Sequence, residues 1–122
     1  MTRVEKLKLW LPVFVWVGVI FTFSSLPINH ETTFSWWDFI LKKTAHVVEY
    51  GILYWFVWRA LSQKGQLLNN KILIWSLVLC LVYAISDEWH QTIVAGREGT
   101  LRDVGFDTIG MLLSWTQVKK NL

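Results

Sequence analysis

The chain has 122 residues, 53% of them hydrophobic and only 17% charged, with nine tryptophans and a net charge of +3. A soluble domain this small has too little interior for so many large apolar side chains, so composition points to one integral membrane domain over 1–122. Basic residues are dispersed, with no basic block interleaved with aromatics, which sets nucleic acid aside as a partner. The lone Cys80 excludes an intrachain disulfide and a multi-cysteine zinc site.

In chain order, KLWLPVFVWVGVIFTFSSL at 8–26 predicts a first span, with Pro12 near its start, where a missing amide costs little. The basic stretch before it resembles the head of a signal peptide, but bulky aromatics and the lack of an A-x-A-like site favour an uncleaved anchor. A connection follows, with a short interfacial helix expected at Trp36 and Trp37. The second span is expected over 44–61, before polar SQKGQ, and the third over 71–94. AGREG makes a turn in which Gly96 and Gly99 supply permissive backbone, and a fourth span, polar in its first half, covers 101–118. Each predicted span is long enough for a hydrocarbon core of about 30 Å at a rise of about 1.5 Å per residue. The expected fold is all-α, a membrane bundle of four transmembrane helices.

Lysines and arginines orient it. Arg3, Lys6, Lys8, Arg59, Lys64, Lys71, Lys119 and Lys120 fall on one side, against Lys42, Lys43, Arg97 and Arg102 on the other. The positive-inside rule then puts both termini in the cytoplasm and the chain in the cytoplasmic membrane. Every acidic residue except Glu5, and all three histidines, lie toward the outer end.

Residues three or four apart share a helix face. Lys43, His46, Glu49 and Tyr50 line the outer part of span two, Asp87, His90 and Gln91 that of span three, with Glu88 turned about a quarter circle away. Asp103 and Asp107 do the same on span four, where Gly110 and Ser114 continue a stripe open to close helix approach. Ser24 and Ser25 close span one. Ionisable groups within spans are tolerated when they face one another, water or a ligand, and they point to a functional site. The same groups would also serve as an ion-pair cluster that fixes helix packing.

The tentative acid–base cluster is His46, Glu49, Asp87, Glu88 and His90. Lys43, Arg97 and Arg102 suit oxyanion contacts, and Tyr50, Gln91, Asp103, Asp107, Ser24 and Ser25 complete the candidate ligand-binding set. Imidazole and carboxylate donors from separate helices would suit a divalent ion, and His46, Glu49, Asp87 and Asp107 would be its ligands. H-x-x-E with D-E-x-H is no recognised metal signature, so the sequence names no cofactor. The two serines show no Ser-His-Asp pattern, and Arg59 is expected to snorkel to the inner interface.

KKTAHVVEYGIL, SDEWHQ, AGREGTLRD and DTIG, in that order, with FSSLP at the end of span one, resemble the VanZ-like family of small bacterial membrane proteins. The resemblance runs from Phe23 to Gly110 and maps the family's polar pattern onto Lys43, His46, Tyr50, Asp87, Glu88, Gln91, Gly96, Arg97, Asp103, Asp107 and Gly110. Ala95 stands where a proline is common and Leu26 where a glutamine is common. The founding member is linked to resistance against the glycopeptide teicoplanin. The resemblance implies an envelope role, and three mechanisms are compatible with the residues. One is an outer polar cleft that binds an anionic lipid or lipid-linked cell-wall intermediate, with Trp36, Trp37 and Trp89 against the chain. Another is acid–base hydrolysis or transfer at a lipid phosphate or ester, with one carboxyl as acid beside an ionised neighbour. The last is a proton-coupled carrier, for which no inner polar path is visible.

Overall fold

The computed structural model describes residues 2–25, 36–62, 70–93 and 101–120, and arranges them as four α-helices with no strand among them. Helix α1, Arg3–Ser24, opens on a capping box: the Thr2 hydroxyl accepts from the Glu5 amide at 3.1 Å while the Glu5 carboxylate accepts from the Thr2 amide at 3.4 Å. Helices α2, Trp36–Ser62, α3, Asn70–Gln91, and α4, Leu101–Lys120, follow.

Helix ends depart from the hydropathic expectation because backbone hydrogen bonding need not stop where apolarity does. Helix α1 begins at Arg3, so Pro12 lies in its interior, not near its start, and deprives the Lys8 carbonyl of its usual main-chain donor. Trp36 and Trp37 do not form a separate interfacial helix; they are the first turn of α2, which runs 27 residues, or roughly 40 Å. Helix α3 stops at Gln91, short of the expected 94, and the Thr92 and Ile93 amides turn back onto the Trp89 and His90 carbonyls. Val94 and the AGREG turn lie outside the described residues, as do His30 and Glu31.

By length and composition, α1 and α3 are apolar enough to cross a membrane. Helices α2 and α4 are not, because Asp38, Lys42, Lys43, Glu49 and Arg59 interrupt one and Arg102, Asp103 and Asp107 the other. Composition therefore supports two spans among the described residues where four were expected.

Helix α2 packs on the three others, most extensively on α4, and α1 does not pack on α4. The α2–α4 seam is tight because it is built on glycine. A side chain on Gly110 would collide with the Val47 carbonyl, and one on Gly51 would sit 3.2 Å from the Gly110 oxygen. Tyr50, Leu53, Tyr54, Leu73, Cys80, Ala84 and Met111 form the core, where the Tyr54 hydroxyl donates to the Leu73 carbonyl at 2.9 Å. At the opposite end from the acidic residues, the Arg59 guanidinium stacks 5.4 Å from the Trp55 ring.

Large apolar side chains cover the outside, among them Phe14 and Phe21 on α1, Trp75 and Val82 on α3 and Leu113 on α4. Asp87, Glu88, Gln91, Asp103 and Asp107 are buried. An apolar exterior around ionisable groups is the distribution that suits lipid surroundings.

Candidate functional site

Antiparallel packing brings the end of α1, the first half of α2, the end of α3 and the start of α4 together. Four polar links then tie these segments. At the outermost level the Lys43 ammonium pairs with the Asp103 carboxylate. It lies 5.5 Å from the centres of both the Phe39 and Phe106 rings, which meet edge to face at 6.5 Å. Lys43 is thus engaged by a carboxylate and two aromatic faces. The rings went unnoticed in the sequence, although Phe39 is four residues before Lys43 and Phe106 three after Asp103, spacings that share a helix face.

One turn deeper, His46 Nδ1 lies 2.7 Å from Asp107 Oδ1, and Asp107 is wholly buried. Another turn in, the Tyr50 hydroxyl donates to Asp87 Oδ2 at 3.3 Å. Gln91 Nε2 reaches the same oxygen at 3.5 Å and donates to Ser24 Oγ at 3.2 Å, linking α3 to α1. Asp87 Oδ1 and Asp107 Oδ2 are buried without a hydrogen-bond partner. Such groups in a folded interior call for an ion, water or strain to explain them.

Helix α3 does not present Asp87, His90 and Gln91 on one side with Glu88 apart. At roughly 100° per residue, Glu88 and His90 lie about 80° to either side of the Asp87–Gln91 direction. Glu88 turns into the cluster, where it is 5% exposed, and His90 turns toward α1. There His90 stacks on Phe21 at 4.6 Å and meets Ser25 Oγ at 3.0 Å. The Ser25 hydroxyl also lies 2.8 Å from the Phe21 carbonyl, to which it can donate, and the imidazole tautomer sets which partner donates in the Ser25–His90 pair.

Among the described residues, the groups able to hold a metal are His46, Glu88 and Asp107, whose donor atoms lie within 4.8 Å of one another. Glu88 stands in this triad where Glu49 and Asp87 were expected. Glu49 is half-buried, and its main-chain carbonyl accepts from Trp16 Nε1 at 2.8 Å. Asp87 is held instead by Tyr50 and Gln91. Arg102 is exposed on the first turn of α4, and Arg97 lies outside the described residues.

Beside the cluster, a groove of about 400 Å³ runs along the α2–α4 seam. Val47, Val48, Ile52, Trp55 and Leu113 line it, with Gly51 and Gly110 at its floor. Trp36, Trp37 and Trp89, at the acidic end of the bundle, are each about 70% exposed.

An all-helical protein with apolar flanks and an ionisable cluster at one end defines the class. The chain matches the VanZ/LLP1 family model over residues 9–119, nearly its whole length, and belongs to the VanZ-like family. Family membership and the two apolar helices point to a membrane protein. No curated protein and no solved structure matches the chain.

Proposed function

We propose that this protein crosses the cytoplasmic membrane four times with both termini inside, and binds the head of an anionic lipid or lipid-linked wall intermediate at an outward-facing polar cleft. Arg102 and Arg97 contact the phosphate, and the exposed tryptophans lie against the acyl or prenyl chain. In a resistant cell this binding would alter the surface that a lipid-anchored glycopeptide meets.

The observation that carries the reading is the adjacency of an apolar groove and the ionisable cluster. The apolar groove begins at Val47 and Gly110, one residue from His46 and three from Asp107. An amphiphile fits that junction, with its chain along the seam and its head at the polar end. The test is purification in mild detergent followed by lipid mass spectrometry. An anionic lipid at near-unit stoichiometry is expected, and Arg102→Ala with Arg97→Ala should deplete it several-fold. Bulk-like lipid composition in the wild type would overturn the reading.

The His46–Asp107 pair favours a second reading, acid–base hydrolysis or transfer at a lipid phosphate or ester. A carboxylate at 2.7 Å orients an imidazole and stabilises its charged form during proton transfer. Full turnover of labelled envelope lipid by the His46→Ala variant would exclude it.

A further inference from the structure

The buried end of the bundle is rich in carboxylates. Asp87, Glu88, Asp103 and Asp107 come together there from α3 and α4. The ammonium of Lys43 goes to Asp103, one turn away from the others. Deeper in, His46 touches Asp107. Asp107, with no solvent exposure, still has Oδ2 without a hydrogen-bond donor. A fully buried carboxylate oxygen with nothing opposite it is costly in a low dielectric, and a cation is the group that best repairs it.

We infer that His46, Glu88 and Asp107 form a divalent metal site that ties α2, α3 and α4 together. Each helix supplies one donor, and the donor atoms lie within 4.8 Å of one another. Bonds of about 2.1 Å to nitrogen and oxygen put opposite ligands of one ion about 4.2 Å apart, so modest side-chain rotation closes the set. His46 and Asp107, joined through Nδ1 and Oδ1 at 2.7 Å, become neighbouring ligands once the proton between them leaves to solvent, with Asp107 Oδ2 free to take the ion. One neutral imidazole and two carboxylates match the ion's charge of two and suit zinc or manganese. Three protein ligands leave a position open for water or for an anionic group.

The supporting residues have the character of an outer shell. Tyr50 and Gln91 both donate to Asp87, fixing a further carboxylate beside the triad with Oδ1 still available to accept a hydrogen bond from a metal-bound water. The site does not depend on the lipid-binding reading; lipid binding and metal binding are measured separately.

The experiment uses the untagged full chain in detergent, stripped with chelator and titrated with Zn2+ by calorimetry and with Co2+ by visible absorption. One equivalent of each is expected, with cobalt d–d bands showing nitrogen and oxygen ligation. Glu88→Gln, which keeps the side chain's volume, should raise the dissociation constant by about tenfold or more, and Asp107→Asn likewise. Asp38→Asn, at an exposed acid outside the triad, should bind as wild type does. Circular dichroism and size-exclusion profiles of each variant separate lost binding from lost fold. If only Glu88→Gln folds, its affinity alone decides. Wild type that takes up neither ion stoichiometrically, or Glu88→Gln that binds both unchanged, would overturn the site.

Discussion

Gly110 lies against the carbonyl oxygen of Val47 so closely that a methyl group on it would strike main chain, not a side chain able to move aside. Gly105, one and a half turns earlier on the same helix, is exposed and has nothing within 4 Å of where its Cβ would be. The two alanine substitutions should therefore have opposite signs. Gly110→Ala must push α2 and α4 apart and should cost about 1–3 kcal/mol or more. Gly105→Ala should be neutral or stabilise by up to about 1 kcal/mol through helix propensity. Unfolding midpoints in detergent check this, and equal shifts in the same direction would refute the close-packed seam.

Lys43 and Asp103 should behave as a unit. Lys43→Met removes the cation and leaves a carboxylate that is nearly buried, with side-chain exposures of 17% for the lysine and 10% for the aspartate. The single variant should lose roughly 3 kcal/mol, the order seen when one partner of a buried pair is deleted. Adding Asp103→Asn should recover part of that loss, since an amide there costs less than a carboxylate deprived of its ammonium. A double-mutant cycle measures the coupling. Additive losses would mean that Phe39 and Phe106, not Asp103, hold the ammonium.

The proposed orientation makes a labelling prediction. Cys80 is the only cysteine and is buried, so Cys80→Ala gives a background free of thiols. Thr92, beyond the acidic end of α3, and Asn70, at its opposite end, are both exposed. In intact cells an impermeant maleimide should label Thr92→Cys, and should label Asn70→Cys only after permeabilisation. The opposite pattern would place the ionisable cluster at the cytoplasmic face and end the envelope-ligand reading.

Helical spacing made much of this site legible. A 3.6-residue period places Lys43, His46 and Tyr50 on one face and Asp103 and Asp107 on another, and the structure joins those faces pair by pair. The partner of each residue was less accessible, because a period gives the direction of a side chain but not what stands opposite. Glu88 and His90 show the difference. Both flank Asp87, yet only the positions of α1 and α4 decide which one enters the cluster. Helix ends were misjudged for another reason. Hydropathy marks where a chain leaves lipid, whereas Trp36–Asp38 continue α2 through ordinary backbone bonding. The T-R-V-E capping box at the amino terminus, by contrast, carries a recognisable sequence signature that explains why α1 starts so early.

Helix α1 contributes no acid to the cluster, yet its attachment has a consequence of its own. Trp16 reaches the Glu49 carbonyl, Tyr83 reaches the Val17 carbonyl, and Ser24 and Ser25 meet Gln91 and His90. In a bilayer, apolar packing distinguishes poorly between a neighbouring helix and a fatty chain, so these bonds act as the teeth of a key. Twisting α1 by one residue step, or drawing it away from α2 and α3, would disengage all of them together. The helix is therefore fixed in azimuth by directional bonds that a fatty chain cannot offer, which leaves the α2–α4 seam on the far side as the face open to an amphiphile.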